Sequence, residues 1–574
     1  MKYRSEIDGL RALAVIPVIL FHAGFEYFRG GFVGVDVFFV ISGYLITSII
    51  INDLENKEFS LLNFYERRAR RILPALFFMM FISIPFAWLL MTPIQMKDFS
   101  QSLVAVSFFV SNILFWLETG YFEADAELKP LLHTWSLSIE EQFYIIFPIF
   151  LLFIWRFFRN NVFLVLSALA LASLVFSEWS TRNFLSASFY LAPARMWELL
   201  IGSLAALYLQ KREVKKNNLL SILGLIAVVY SIISFDQSTP FPSLYTLVPV
   251  LGVLLVVIYG SKETLIGSLL SNKLLVGIGL ISYSAYLWHQ PLLAFVRLKM
   301  SGEPANIIML SVCLFSFILA YFSWKFIEKP MRNKKIVSGK QILSMSLVGL
   351  LFFSLVGTYG HISNGYRNLM LNYKYTQEES KEAIKVFNSM NYHLERDVAA
   401  KPEKCKLWAR NSELLNLNNV KRCYNKYGKA IVILGDSHAI NLFNILALSN
   451  TYPFIIGISQ GSCHPHNPRV ECHYDEFQKF AVNNESMISI LIFHQSGAYL
   501  ISDSNGVVDS DKSFTGDFFA YDIGNIKKVK FFLNEIVTKS KIKTIWVGPF
   551  LEFRRSPEKT LFTEELKTVN PISI

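Results

Sequence analysis

Apolar runs long enough to cross a bilayer fill the first 360 residues, and short alternating runs fill the rest. A spanning helix needs about 20 predominantly apolar residues. Twelve windows approach that length, centred near residues 17, 42, 82, 109, 148, 169, 201, 226, 251, 286, 315 and 350. Each predicts an apolar helix. Beyond residue 360 the apolar runs are strand-sized, at Ala430–Leu434, Ile488–Phe493 and Ile542–Val547, separated by segments rich in Asn, Lys and Glu. The pattern predicts a polytopic α-helical membrane bundle of about 11 transmembrane helices followed by an α/β domain. The expected divisions are a membrane domain over 1–335, an additional transmembrane helix over 336–362, a linker over 363–428 with one helix at Gln377–Asn388, and the α/β domain over 429–574.

The charges decide the sidedness. Of the 574 residues 53% are hydrophobic and only 17% charged, and mean hydropathy is +0.38, which excludes an ordinary soluble protein. The net charge of +11 does not indicate a nucleic-acid partner, because Lys and Arg cluster beside the apolar segments and read as topology determinants. Arg67, Arg68, Arg70 and Arg71, the pair Arg156 and Arg159, the run Lys211, Arg212, Lys215 and Lys216, and Lys325–Lys340 are expected in the cytoplasm. Glu118–Glu127 holds Glu118, Glu123, Asp125 and Glu127 with no base and is expected outside. An odd number of crossings must then separate residue 71 from residue 118. Hydropathy offers two, Ile72–Met91 and Ser100–Leu117, so one of them does not cross fully. The expected topology is an inner-membrane protein with a cytoplasmic N-terminus and everything after residue 360 outside. Nothing in the first apolar stretch reads as a cleavable signal peptide.

Cysteine usage agrees. Cys313 lies in an apolar helix, whereas Cys405, Cys423, Cys463 and Cys472 lie in the exported part and read as two disulfides, most simply 405–423 and 463–472. Cys463, His464, His466, Cys472 and His473 also have a composition that binds zinc, but in an exported domain the disulfide reading is preferred and no metal is expected.

Against this apolar background a few polar residues stand out. Arg11 and His22 in the first window are eleven residues apart, close to three turns, so they share one face about 16 Å apart along the axis. Titratable groups at bilayer depth are costly and usually line a polar cavity. Asp36 and Ser42 interrupt FVGVDVFFVISGYLI. The arginines of YERRARRILP form a group suited to gripping phosphates, since guanidinium forks bind phosphate oxygens in pairs. KPLLHTWSLSIEEQFY brings His133, Glu140 and Glu141 to the mouth of a helix, with Ser138 and Glu141 spaced as a capping box. Arg195 and Glu198, three residues apart, are expected to form an intramembrane ion pair. His289, between Tyr286 and Trp288, reads as interfacial rather than catalytic.

These segments together resemble the acyltransferase-3 family of bacterial inner-membrane O-acyltransferases. DGLRALAV followed by FH, FFVISGYLI, ERRARRILP, HTWSLSIEEQFY, PARMWELLIG and SYSAYLWHQP carry the resemblance over residues 5–335, and the Arg-x10-His spacing of Arg11 and His22 matches the family signature. The resemblance implies an acetyl group taken from cytoplasmic acetyl-coenzyme A and delivered to an outward-facing hydroxyl of a cell-envelope glycan, lipopolysaccharide O-antigen or core being the leading acceptor. Acetyl-coenzyme A is then a donor substrate, and no bound cofactor is expected. Partners are the donor, the glycan and the bilayer, with the oligomeric state open. On chemical grounds His22 is the candidate base. Arg11 assists it, Glu140 or Glu141 orients the acceptor or tunes a partner, and Arg67, Arg68, Arg70, Arg71, His133 and Asp36 are candidate substrate-binding residues.

In the exported part KAIVILGDSHAIN is an apolar strand running into a tight Gly-Asp-Ser turn, which presents Ser437 at the mouth of an α/β sheet. It resembles the first block of the SGNH hydrolase fold, in the form fused to some acyltransferase-3 proteins. That resemblance makes Ser437 the nucleophile and Gly461, in ISQGSC, the second-block glycine. A third-block asparagine and the Asp-x-x-His that activates the serine are not found. The domain therefore reads either as an SGNH-like fold lacking its C-terminal end or as a degenerate acceptor-binding module, with at most weak esterase activity. Competing readings of the whole chain are a transporter or flippase of a lipid-linked envelope precursor and a membrane-anchored esterase.

Overall fold

The computed structural model describes residues 3–118, 124–210, 212, 216–236, 238–300, 304–374, 400–448, 451–460, 463–466, 472–496, 500–503 and 519–547. The helix expected at Gln377–Asn388, and Gly461, Lys211, Lys215 and Glu123, lie outside these residues. The chain forms two compact units that divide between Met370 and Leu371.

The first unit is all helical. Its helices are α1 (Ser5–His22), α2 (Gly34–Glu55), α3 (Leu61–Leu90), α4 (Pro93–Ser107), α5 (Ser111–Glu118), α6 (Thr134–Phe157), α7 (Val162–Asn183), α8 (Leu185–Tyr190), α9 (Ala192–Leu209), α10 (Asn218–Ser234), α11 (Leu247–Tyr259), α12 (Leu265–Leu270), α13 (Lys273–Lys299), α14 (Asn306–Ser323), α15 (Lys329–Arg332) and α16 (Gly339–Ile362), and the division falls within α17 (Arg367–Lys374). A π-helical turn at Trp324–Glu328 joins α14 to α15.

By length and composition six described segments can span a bilayer, namely Gly31–Glu55, Leu61–Leu90, Thr134–Phe157, Arg159–Asn183, Asn306–Arg332 and Gly339–Ile362. The expectation of about eleven counted helices such as α1, α9 and α13 as well. These are apolar but carry Arg, His, Glu and Gln, and they fall outside that set for this reason. The window centred on residue 109 is not one helix. It breaks into α4 and α5 where Phe109 adopts φ 54°, and Thr92 starts α4 with a capping box to Gln95. Neither piece, at 15 and 8 residues, reaches bilayer length.

At the centre α1 packs against α13 and α2, and α2 against α9. The α1–α13 approach depends on a small residue, because a Cβ at Gly279 would lie 1.8 Å from the Asp8 carbonyl oxygen. The expected cap at Ser138 is corrected. The α6 helix starts a turn earlier, where the Thr134 hydroxyl donates to Leu131 O at 2.7 Å, and Ser138 instead meets the Ser111 hydroxyl at 2.8 Å.

The second unit is a five-stranded sheet built from β1 (Lys406–Ala409), β2 (Ala430–Gly435), β3 (Ile455–Ser459), β4 (Ile488–His494) and, at the far edge, Lys543–Trp546. All its ladders are parallel, as expected of strands that alternate with helices. Those helices are α18 (Leu417–Tyr427), α19 (Ser437–Leu448), α20 (Tyr474–Asn483) and α21 (Ile523–Ser540). A separate antiparallel ribbon pairs β5 (Ile501–Asp503) with β6 (Phe519–Tyr521), so the Lys543–Trp546 strand is β7. The expected linker is corrected at its C-terminal end: β1 pairs with β3 from Lys406 opposite Ile455, so residues 406–427 belong to the α/β unit. Disulfides join Cys405 to Cys423 and Cys463 to Cys472, while Cys313 is a buried free thiol in the helical unit.

Candidate functional site

The signature residues of α1 serve two different places. Arg11 lines a cavity of about 80 Å³ between α1, α2, α3, α6 and α13, together with Ser42, Arg68, Arg71, Ser136, Glu140, Tyr144, Tyr283 and Tyr286. Helical spacing explains the set: Arg68 and Arg71 are three apart on α3, and Glu140 and Tyr144 four apart on α6. Arg11 meets Asp8 at 3.3 Å, and Tyr144 donates to Glu140 at 2.8 Å. Arg68 lies over the rings of Phe64 and Tyr144, and its Nε is buried without a hydrogen-bond acceptor. Arg71 makes no ion pair among the described residues. Three guanidinium groups thus face a cavity whose wall holds one carboxylate, Glu140. The surplus of positive charge and unspent donors suits an anionic ligand, above all a phosphate.

His22, the last residue of α1, sits in a second cluster with His133 and His289. All three imidazoles are buried. His22 Nδ1 lies 3.0 Å from Val18 O and 3.3 Å from His289 Nε2, while His289 Nδ1 lies 2.6 Å from Tyr286 O. The His133 ring stands 5.3 Å from both the His289 and Tyr286 rings, and neither of its nitrogens meets hydrogen-bond geometry. Arg297 donates to His22 O at 2.6 Å and pairs with Glu127 at 2.8 Å. His289 is therefore a member of the site. Reading it as interfacial is corrected, because His289 is turned inward against α1 and fully buried.

Tyr286 joins the two places. It lines the cavity, its hydroxyl donates to His133 O at 2.8 Å and meets the Ser136 hydroxyl at 2.7 Å, and its carbonyl holds His289. The sequence signal for Tyr286 and His289 was their spacing of three on a helix that also carries Ser282 and Gln290.

The other expected binding residues are engaged elsewhere. Asp36 does not reach the cavity. It accepts from Arg195 Nη1 at 2.8 Å, and Glu198 pairs with the same nitrogen at 3.1 Å, so the expected Arg195–Glu198 pair has a third member. Arg195 is boxed by the rings of Trp135, Phe189 and Phe241 at 5.5, 4.9 and 5.1 Å. Arg67 pairs with Asp53 at 2.9 Å. Arg70 pairs with Glu66 at 2.8 Å and donates to Met331 O and Val337 O, which spends it on holding the chain between α15 and α16. The arginine cluster is thus divided, with Arg68 and Arg71 facing the cavity and Arg67 and Arg70 tying the fold together.

In the second unit Ser437 opens α19 directly after β2, at the carboxyl end of a parallel sheet, where open α/β sheets place their sites. Asp436 beside it is buried and accepts from the His438 and Ser496 backbone N–H groups, each at 2.8 Å, with His464 Nδ1 at 3.5 Å. The Tyr474 phenol, which donates to Cys463 O at 2.8 Å, is raised above its usual pKa by burial and then by the charge of Asp436. Gln495, where a third-block asparagine was sought, is buried with both amide atoms lacking partners. The cysteines considered as zinc ligands are bonded to each other. A grouping with ligand reach stands on the surface instead, at Glu413, His473 and Glu476.

A helical membrane bundle with a basic interior cavity and a neighbouring histidine cluster, followed by an α/β unit, defines the class. Residues 4–325 match the acyltransferase-3 family, described as an acyltransferase domain, and the chain belongs to that family. It is 34% identical over 361 residues to the peptidoglycan O-acetyltransferase OatA of Listeria monocytogenes, covering 59% of this chain and 57% of that one. The O-acetyltransferase OatA of Staphylococcus aureus is 31% identical over 353 residues, 58% of each chain. The putative peptidoglycan O-acetyltransferase YrhL of Bacillus subtilis is 34% identical over 358 residues, 58% of this chain and 55% of that one. The chain thus spans a little over half the length of these relatives. No solved structure matches it.

Proposed function

We propose that this protein transfers an acetyl group from acetyl-coenzyme A, across the inner membrane, to a hydroxyl of a cell-envelope glycan. The single observation that carries the reading is a cavity lined by three guanidinium groups and one carboxylate, ending at the tyrosine that contacts the histidine cluster. Arg11, Arg68 and Arg71 would hold donor phosphates, and the thioester arm would extend along α1 toward His22. His22 takes the proton of the acceptor hydroxyl as its oxygen attacks the thioester carbonyl, then returns it to the departing thiolate, so the products are the glycan acetyl ester and the free thiol. Glu140 and Tyr144 line the same cavity, with Arg68 lying over the Tyr144 ring. The basic loops support a cytoplasmic N-terminus and a periplasmic second unit. The acceptor is an envelope glycan: the relatives' names favour peptidoglycan, and lipopolysaccharide O-antigen or core is the alternative. Ser437 stands where a nucleophile or an acceptor-binding hydroxyl would stand, and its removal is expected to matter less than that of His22.

Mass spectrometry of envelope glycans from cells with and without the gene tests the reading, and the acetylated polymer names the acceptor. Unchanged acetylation with altered transport of a lipid-linked sugar would replace the enzyme with a flippase. In proteoliposomes His22→Ala should lower acetyl transfer by at least about 100-fold without loss of membrane insertion. Arg71→Gln should raise KM for acetyl-coenzyme A by about tenfold with little change in kcat. Full activity of the His22 variant would remove it from the mechanism.

A further inference from the structure

We propose that His289 is a positioning residue that fixes the tautomer of His22 and accepts a hydrogen bond from it when His22 takes up a proton. The inference rests on the acyl-transfer reading above and assigns a role to a residue outside the Arg11–His22 signature.

The argument starts from the acceptors. A backbone carbonyl only accepts hydrogen bonds, so the imidazole nitrogen facing one carries the proton. His289 Nδ1 faces Tyr286 O at 2.6 Å and is the protonated nitrogen of that ring. Its Nε2 is then a lone pair, and it points at His22 Nδ1, 3.3 Å away. His22 Nδ1 also faces a carbonyl, Val18 O, at 3.0 Å, so it too carries a proton, shared between Val18 O and His289 Nε2. Both rings are satisfied by one arrangement, which leaves Nε2 as the basic nitrogen of His22.

When a hydroxyl proton arrives at His22 Nε2, the Nδ1–H becomes a charged donor. Its bonds to the His289 lone pair and the Val18 carbonyl then strengthen. A neutral imidazole thereby does what a carboxylate does for histidine in a hydrolase triad, without placing a negative charge in the bundle. The groups around the pair fit this assignment. His133 faces His289 from the start of α6. Arg297 faces the His22 carbonyl from α13 with its charge matched by Glu127, and Phe21 places its ring edge-on to His22 on α1.

The test uses the full chain in proteoliposomes with acetyl-coenzyme A and envelope glycan. His289→Ala should lower kcat about 100-fold with KM for acetyl-coenzyme A unchanged. His289→Gln, whose amide oxygen can accept from His22 Nδ1, should retain at least about a tenth of the wild-type kcat. Nitrogen NMR of histidine-labelled protein should show His22 with Nδ1 protonated and Nε2 bare in the wild type and in His289→Gln, and mixed tautomers in His289→Ala. Half or more of the activity in His289→Ala, equal losses in both variants, or a protonated His22 Nε2 in the wild type would overturn the proposal. If His289→Ala does not fold, the His22 signals of the wild type and of His289→Gln decide. A wild type that transfers no acetyl would sink the acyl-transfer reading, while the nitrogen signals still judge the pairing.

Discussion

Arg195 shows how a membrane interior separates structural charge from chemical charge. One guanidinium meets two carboxylates, Asp36 and Glu198, inside a box of aromatic rings, and all three side chains are at most 1% exposed. Removing the cation would leave two carboxylates facing each other without compensation, and breaking a buried ion pair costs ~3–5 kcal/mol. Arg195→Met should therefore lower the thermal midpoint of the purified protein in detergent by many degrees. Asp36→Asn, which keeps the shape and one acceptor, should cost less and leave KM for the acetyl donor unchanged; a raised KM would return Asp36 to the binding site. Spacing alone revealed the Arg195–Glu198 half of this group, because three residues on one helix fix a shared face. Asp36 lies 159 positions away in sequence, and nothing local marks it as the partner. His289 was misread for a related reason: Tyr286 and Trp288 beside it imitate an interfacial belt, and only the packing of α13 on α1 turns the imidazole inward.

At the scale of elements, the bundle is held by close helix contacts that bulky side chains would forbid. The α2 and α9 helices approach until a Cβ at Gly43 would lie 1.9 Å from Leu199 O, and one at Gly202 would lie 2.0 Å from Val40 O. These are backbone atoms that cannot rotate away. Gly43→Leu should abolish recovery of folded protein on size-exclusion chromatography. By contrast, Gly277→Ala in α13 meets nothing within 4 Å and should be neutral or stabilise by ~0.5–1 kcal/mol, because alanine suits a helix better. Equal tolerance of both changes would mean that α2 and α9 stand further apart than described. Long apolar windows made most of these helices legible, as they made β4, expected at Ile488–Phe493 and found at Ile488–His494. The break between α4 and α5 was legible only as a conflict of charge sides. The β1 strand escaped because Lys406–Ala409 is four residues long and opens with a lysine, whose ammonium is drawn to the Tyr452 carbonyl and whose pKa burial lowers.

For the whole molecule, each unit has its own hydrophobic core, and only the second is cross-linked. Cys405 and Cys423 close a separation of 18 residues and tie the start of β1 to α18, while Cys463 and Cys472 close 9 residues beyond β3. Loop closure of this size stabilises by ~2–4 kcal/mol per bridge, chiefly by restricting the unfolded chain. Cys313 in the helical unit has no partner to lose. A reductant should therefore act on one unit alone. Hydrogen exchange followed by mass spectrometry separates the two, because peptides from β2 and β3 report the sheet and peptides from α1 and α13 report the bundle. Reduction should speed exchange in the sheet peptides by about tenfold or more, the equivalent of ~1.4 kcal/mol, and leave the bundle peptides unchanged. Acetyl-coenzyme A should do the reverse and protect α1, α3 and α6, whose arginines and carboxyl line the cavity, without slowing exchange in the sheet. Donor protection confined to the sheet would place the donor site in the wrong unit and with it the chemistry assigned to Arg11, Arg68 and Arg71.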